Sequence, residues 1–311
     1  MKLICVVGPT ATGKTKMGVA LAHQYDGEVV SCDSMQIYRG MAIGTAAPMT
    51  EEMEGIPHHM IGVADPRESW SAARYAQEAD RCVRDILARG KQPVIVGGTG
   101  LWLDALLRGD TFAPGAQGEE TRLKLQERLK NEGIEPLFAE LQGIDPTAAE
   151  KLHLRDEKRI LRALEVWYET GETITAHDEK SRTLPPRYDA ALIGLDFVRR
   201  EDLWQRIDAR VDQMVQQGLL EEVETLLQSG LPADATALQA IGYKQFLAAA
   251  QGRATVEEAI AEVKLRSRQY AKRQRTWFRR RDTHWIYWET SPDFSAGFQN
   301  ATKYLTAQGL G

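Results

Sequence analysis

The sequence has few cysteines and no long apolar run. Its 311 residues include only Cys5, Cys32 and Cys82, too few and too scattered for a disulfide framework or a zinc site, which favours a reducing, cytoplasmic location. No stretch of about 18 apolar residues occurs, so the sequence predicts no membrane span. The apolar run at 2–7 leads into a glycine loop rather than a cleavage site, which indicates a strand and not a signal peptide.

Acidic residues are absent from one segment of an otherwise acidic chain. The net charge is −5, but residues 264–281 hold nine of the 39 basic residues and no acid, so the remainder carries −14. Basic residues recur there three or four apart, and a helix would align them in one stripe: Lys264, Arg268, Lys272, Arg275 and Arg279. Basic runs are commonly solvated helix faces. The lack of a compensating acid in the segment favours a surface for RNA or DNA phosphates.

Apolar runs alternate with helical patterns along much of the chain. The predicted strands are 2–7, 28–31, 93–96, 191–197 and 284–288. The predicted helices outside the middle of the chain are 14–24, 71–89, 201–229, 237–250 and 255–281. Such alternation is typical of an α/β fold with a parallel sheet. Charge-laced helical sequence predicts an all-helical insertion domain at 113–185, between a first core part at 1–112 and its completion at 186–311.

One phosphate-binding motif stands between the first strand and the first helix. Its residues match the P-loop pattern: Gly8, Pro9, Thr10, Ala11, Thr12, Gly13, Lys14 and Thr15. Backbone N–H groups at a helix N-terminus surround an anion, Lys14 adds a charge, and the Thr15 hydroxyl is placed to bind Mg²⁺. The sequence therefore predicts a P-loop NTPase-like core. The motif identifies a phosphate site without identifying ATP as its ligand.

Two strand ends carry further candidate residues. The strand at 93–96 ends in a Gly-Gly-Thr-Gly run at 97–100, without the metal-binding carboxylate that enzymes transferring a γ-phosphoryl group usually have. This run indicates either a close backbone approach to a substrate, with Thr99 hydrogen-bonded to it, or a simple turn. Asp33 follows the strand at 28–31 and is a candidate general base or metal ligand, although a helix N-cap suits its residue type equally.

Three smaller features have mainly structural interpretations. His58 and His59 lack further ligands at metal spacing. Cys32 is expected to be a small buried residue at a strand end. Arg206 and Arg210 lie one helical turn apart beside an apolar stripe, from which arginines reach either a cleft or solvent.

Taken together, these segments resemble the tRNA dimethylallyltransferase (tRNA isopentenyltransferase) family over nearly the whole chain. The matching segments occur in the family's order: GPTATGKT at 8–15, DSMQIYRGM at 33–41, IGTAAP at 43–48, PHHM at 57–60, VGGTGLW at 96–102, RALEVW at 162–167, IGYKQF at 241–246 and RQYAKRQRTWFR at 268–279. The chain departs from the family pattern at Ala47 and Trp102. No zinc-finger pattern follows the last segment, as in bacterial-type members.

The resemblance implies transfer of a dimethylallyl group from dimethylallyl diphosphate to N6 of adenosine 37, beside the tRNA anticodon, with release of diphosphate. The P-loop residues would bind the diphosphate together with Mg²⁺. Asp33 would accept the N6 proton, Thr99 would line the channel where base and donor meet, and Arg206 would contact the diphosphate. Because N6 is a poor nucleophile, this chemistry favours the general-base interpretation of Asp33.

The resemblance also implies tRNA and the prenyl donor as partners. We expect a monomer without membrane contact. The implied tRNA-binding residues are Asp33, Ser34, Met35, Gln36, Thr99, Arg122, Lys158, Arg159, Ile160, Leu161, Arg162, Gln239, Ala240, Ile241, Gly242, Tyr243, Lys244, Lys272, Arg273, Gln274, Arg275, Thr276, Trp277, Phe278 and Arg279. Two other classes of protein would explain fewer of these features. A P-loop kinase does not explain the basic segment, and a non-catalytic RNA-binding switch has no use for Asp33.

Overall fold

The sheet is the centre of the fold. The protein is described here by a computed structural model covering residues 2–109 and 119–310. Six strands pair in parallel in the order β3-β2-β4-β1-β5-β6. Their bounds are β1 Leu3–Val7, β2 Gly27–Cys32, β3 His58–His59, β4 Gln92–Gly97, β5 Ala190–Phe197 and β6 His284–Trp288. The predicted α/β fold is confirmed, and β3 is an edge strand that the sequence did not reveal.

Helices make up most of the remaining chain. Their bounds are α1 Lys14–Gln24, α2 Ala42–Thr45, α3 Thr50–Met53, α4 Ala72–Ala88, α5 Gly100–Arg108, α6 Glu119–Glu132, α7 Ile134–Ile144, α8 Pro146–Ala149, α9 Glu157–Thr170, α10 Ile174–Thr183, α11 Arg200–Gln216, α12 Leu219–Gln228, α13 Tyr243–Ala250, α14 Val256–Phe278 and α15 Phe294–Ala307, with a 3₁₀ turn at Ala237–Gln239. The single helix predicted over 201–229 is wrong. This segment forms two helices that are separated at Gly218, where a φ of 98° interrupts helical geometry.

Both faces of the sheet are buried, which is why its strands are continuous apolar runs. In β1, Leu3, Cys5 and Val7 belong to one buried cluster, while Ile4 and Val6 belong to the other. Because all strands run in one direction, β1, β2 and β4 end at the same edge. Ligands of parallel sheets bind at this edge.

The chain divides into two compact units. One comprises the residues up to Leu107 and from Tyr188 onward, and the other is Arg108–Arg187. The helical unit has a core of its own, formed by residues such as Leu125, Leu137, Leu141, Ile160 and Leu164. The predicted boundary between residues 112 and 113 lies outside the described residues. In the part of the chain that is described, no helix is long and apolar enough to cross a membrane.

Candidate active site

The P-loop joins β1 to α1 in a conformation that requires its glycines. Gly8 and Gly13 have φ of 127° and 88°, values that side chains with a Cβ rarely adopt. A Cβ on Gly8 would collide with the backbone of Leu195, and one on Gly13 would lie 2.5 Å from the Phe294 ring. The loop is therefore held close against β5 on one side and α15 on the other.

Hydrogen bonds from distant parts of the chain fix the loop further. The indole Nε1 of Trp288 donates to the carbonyl of Thr12 at 3.0 Å. The Thr10 N–H donates to the Gln274 side chain at 2.9 Å. Within the loop, the buried Thr12 hydroxyl donates to the Pro9 carbonyl at 2.9 Å. The loop is thus braced in advance of ligand binding.

Lys14 is half-buried, and its Nζ donates to the Pro9 carbonyl at 2.6 Å. Burial lowers the pKa of Lys14 to about 7; the positive charge of Arg210 lowers it further, and the negative charge of Asp33 opposes the shift. A bound anion would restore the charged form, because an opposite charge nearby favours the ammonium ion.

Thr15, the predicted Mg²⁺ ligand, lies in the first turn of α1, and its hydroxyl makes no hydrogen bond to any other described residue. No group of three or more metal-ligating His, Cys, Asp or Glu side chains occurs in residues 2–109 and 119–310. These residues fit a Mg²⁺ ion that takes most of its oxygen ligands from a phosphate substrate and water, as Mg²⁺ commonly does.

Asp33 follows β2 and lines the same cavity as the P-loop residue Thr10. Its Oδ1 accepts the N–H of Met35 at 2.9 Å and of Gln36 at 3.4 Å. No helix begins directly after Asp33, so the helix N-cap suggested by the residue type is wrong; one carboxylate oxygen caps the turn at 34–37 instead. In the described chain no hydrogen bond involves Oδ2, so the same carboxylate can cap the turn and accept a proton.

Thr99 lies at the end of β4 and connects it to two other elements. Its Oγ1 accepts the Ser34 N–H at 3.1 Å, and the Thr99 side chain lowers the pKa of the nearby Tyr270 hydroxyl. Burial outweighs this effect and raises the pKa of Tyr270 well above its usual value, and the charge of Asp33 adds to the rise. Tyr270 therefore stays protonated at neutral pH.

The glycines at 97–100 permit close approach of the protein's own side chains. A Cβ on Gly98 would collide with the Gln274 amide, and one on Gly100 with the Trp277 ring. The predicted approach of a substrate to this backbone is thus replaced by the approach of α14. Tyr270, Gln274 and Trp277, spaced four and three residues apart, meet Thr99, Gly98 and Gly100 in turn.

The two arginines of α11 have different surroundings. Arg206 is exposed, and its Nε donates to the Ala11 carbonyl at 3.1 Å. Arg210 lines the cavity, with Nη1 3.4 Å from the Thr10 hydroxyl, and burial lowers its pKa. Sequence reasoning selected Arg206 and missed Arg210. The spacing of the two arginines, one helical turn apart, indicated that either could line a cleft. Which of them does so depends on the rotation of α11 about its own axis.

A cavity of about 290 Å³ brings these groups together. Its polar wall includes Thr10, Asp33, Arg210, Tyr270 and Arg273. Its apolar wall is formed mainly by side chains of α11 and α14: Ile207, Val211, Met214 and Val263. The cavity therefore offers a cationic end, a carboxylate and an apolar surface to one ligand.

Three of the five members of the expected cationic stripe on α14 are paired with acids. Lys264 pairs with Asp212 at 2.6 Å, Arg268 with Asp208 at 2.8 Å, and Arg275 with Asp196 at 2.6 Å. The acids that compensate these charges come from α11 and β5 rather than from the segment itself. Only Lys272 and Arg279 of the stripe are exposed, and the exposed Arg273 and Arg280 adjoin them in sequence.

The implied tRNA-binding residues divide by exposure. Those with exposed side chains are Arg122, Lys158, Arg159, Gln239, Lys244, Lys272, Arg273, Thr276, Trp277 and Arg279. Those that are half-buried are Asp33, Ser34, Met35, Gln36, Thr99, Leu161, Arg162, Ile241 and Arg275. Those that are buried are Ile160, Ala240, Gly242, Tyr243, Gln274 and Phe278. The buried side chains pack inside their units, so an RNA contact at these six positions would have to use the backbone.

Three other sequence features are structural. His59 lies 2.7 Å from Glu28, His58 Nδ1 lies 2.8 Å from the Ile56 carbonyl, and Cys32 is buried with its pKa raised to about 12, mainly by burial. The structural interpretation of the histidine pair and of Cys32 is confirmed.

Known proteins resemble this chain over its full length. The family described as IPP transferase matches residues 36–281. The tRNA dimethylallyltransferase of Thermoanaerobacter sp. (strain X514) is 40% identical over 310 residues, covering 99% of this chain and 98% of the relative. The full-length tRNA isopentenylpyrophosphate transferase from Bacillus halodurans is 38% identical, with a TM-score of 0.72 over 99% of each chain.

A eukaryotic dimethylallyltransferase, solved acting on tRNA, has a TM-score of 0.82 and 31% identity, covering 98% of this chain and 78% of that one. The family match spans well over half of the sequence, and the relatives match it almost from end to end. The P-loop, the Asp33 turn and the packing of α14 on the glycine turn are thus features of a chain that belongs to the IPP transferase family.

Proposed function

We propose that this protein transfers the dimethylallyl group of dimethylallyl diphosphate to N6 of adenosine 37, beside the anticodon of tRNA, and releases diphosphate. The observation that carries the proposal is the composition of the 290 Å³ cavity. A prenyl diphosphate has an anionic head and an apolar tail. The cavity combines Thr10 and Arg210 with an apolar wall, whereas a kinase has no need of that wall.

The P-loop and its cationic neighbours would bind the leaving diphosphate. Backbone N–H groups at the start of α1, together with Lys14 and Arg210, are arranged where negative charge develops as the C–O bond of the donor breaks. Thr15 would hold Mg²⁺ with the diphosphate, and the ion would neutralise part of that charge. Arg206 supports the site from outside the cavity through the Ala11 carbonyl.

Asp33 would act as the general base. As N6 forms its bond to the prenyl carbon, it must lose a proton, and the free Oδ2 of Asp33 can accept it while Oδ1 still holds the Met35 N–H. Thr99 and Tyr270 would orient the base beside this carboxylate. The target adenine must leave its stack to enter the cavity.

The test is incubation of the protein with an unmodified tRNA transcript, Mg²⁺ and dimethylallyl diphosphate, followed by mass spectrometry of the nucleosides. We expect N6-dimethylallyladenosine, and none from a transcript with guanosine at position 37 or when ATP replaces the donor. ATP consumption without prenylated adenosine would instead support a kinase. The predicted cytoplasmic location and monomeric state stay predictions.

Asp33→Asn tests the general base directly, because asparagine keeps the Oδ1 that caps the turn. We expect single-turnover prenylation to fall about 10²–10⁴-fold, with tRNA affinity changed only a few-fold. Asp65→Asn is the matched control, since Asp65 Oδ1 likewise accepts a backbone N–H two residues on, that of Arg67 at 2.9 Å. Near-normal prenylation by Asp33→Asn would remove Asp33 from this role.

A further inference from the structure

Gln274 is a buried amide that joins the P-loop to the glycine turn after β4. Its side chain is only 4% exposed. Its Oε1 accepts the Thr10 N–H at 2.9 Å, and its Nε2 donates to the Gly98 carbonyl at 3.0 Å. Each partner fixes one end of the amide, because a backbone N–H requires the oxygen and a carbonyl requires the nitrogen.

The two bonded backbones serve different substrates in the proposed reaction. Thr10 belongs to the P-loop, where the diphosphate would bind, and Gly98 precedes Thr99, which would meet the adenine. No backbone hydrogen bond of the sheet joins these two loops directly at this point, since β1 and β4 pair only through Ile4, Cys5 and Val6. The amide of Gln274 therefore spans the gap beyond the last paired residues.

We infer that Gln274 is a positioning residue that sets the distance between the donor site and the acceptor site. The inference rests on the proposed prenyl transfer. The absence of a side chain at Gly98 lets the amide approach the turn, because a Cβ there would collide with Nε2. The neighbouring Arg275–Asp196 ion pair, with Asp196 fully buried, anchors the same turn of α14 to β5. The turn of α14 that carries the amide is thus fixed to β5.

The test uses Gln274→Glu, because a protonated carboxylic acid reproduces the amide's donor and acceptor whereas a carboxylate does not. In the ionised side chain, the oxygen that replaces Nε2 would face the Gly98 carbonyl with no proton to donate, while the other oxygen would still accept the Thr10 N–H. We expect kcat to fall about 100-fold at pH 8, the scale of a misplaced reacting group, and to recover as the pH falls. Burial raises the pKa of such a carboxyl, so the recovery should begin above pH 5.

Gln274→Met removes both hydrogen bonds at nearly the same volume and should lose kcat without recovery at low pH. Gln269→Glu is the matched control on α14, since Gln269 is exposed, and it should keep the wild-type pH profile. Equal pH profiles for Gln274→Glu and wild type, or for Gln274→Glu and Gln274→Met, would overturn the inference. A wild-type protein that does not prenylate tRNA would instead overturn the proposed function.

Discussion

At the level of single residues, burial and the positive charge of Arg210 both disfavour the charged form of Lys14. Its pKa of about 7 means that the free site is partly neutral above neutral pH. A bound diphosphate favours the charged form. Donor binding at alkaline pH must therefore be accompanied by proton uptake.

We predict uptake of roughly 0.9 proton per donor at pH 8, and an affinity that falls toward tenfold per pH unit above 7. Protons are taken up rather than released because Lys14 is already protonated below its pKa and must gain a proton above it. Calorimetry of dimethylallyl diphosphate binding in HEPES and Tris buffers measures the uptake. Lys14→Arg is the control, because arginine stays charged and the ionisation of the donor is common to both proteins. Identical uptake by the two proteins would contradict the prediction.

At the level of elements, α14 has two faces with different tasks. Its inner face contacts the glycine turn through Gln274 and pairs with acids of α11 and β5, while Lys272 and Arg279 are exposed to solvent. The outer face is the part of the basic segment that remains available to tRNA phosphates. Mutations on the two faces should therefore have different consequences.

We predict that Lys272→Ala combined with Arg279→Ala weakens tRNA binding and reduces the slope of log K against log salt by about one to two units. Donor affinity should not change. Arg253→Ala with Lys303→Ala removes the same charge from exposed positions outside this surface and should leave the slope unaltered. Filter binding at several salt concentrations measures both. An equal slope for the two double variants would show that the outer face is only solvated.

Arg275→Ala is expected to act on stability instead. It leaves the fully buried Asp196 without its partner, and breaking such a pair costs about 3–5 kcal/mol. A loss of tRNA affinity by this variant therefore reports on folding as much as on binding.

The elements show why some features were predictable and others were not. The P-loop and the five predicted strands, the last of them at 284–288, depend on local spacing, which the sequence carries directly. The inner face of α14 depends on Asp208 and Asp212, which lie some 60 residues away, and local periodicity contains no information about them. The same limit applies to Arg206 and Arg210, whose roles depend on the rotation of α11 against the P-loop.

At the level of the whole molecule, the two units have separate cores. Leu164 is fully buried in the core of the helical unit, and the donor cavity is lined entirely by residues of the α/β unit. Replacement of Leu164 by alanine should lower the free energy of unfolding by about 2–5 kcal/mol. Donor affinity should remain at the wild-type level.

Urea unfolding and calorimetry measure these two quantities on the same protein. Leu154→Ala is the control, since Leu154 is 41% exposed and a surface change of this kind costs within about 0.5 kcal/mol. A parallel loss of donor affinity in Leu164→Ala would show that the donor cavity depends on the core of the helical unit.

The contacts that fix the P-loop also determine when, during synthesis of the chain, the phosphate site can form. The loop occupies residues 8–15, but the indole of Trp288 that holds the Thr12 carbonyl is added 276 residues after Thr12. At about 5–20 residues per second, the ribosome takes roughly 15–60 seconds to supply it. Until then the loop lacks the Gln274, Trp288 and Phe294 contacts. A nascent or prematurely terminated chain that stops before Trp288 therefore lacks these contacts, and the conformation of the P-loop can be fixed only after they have been added.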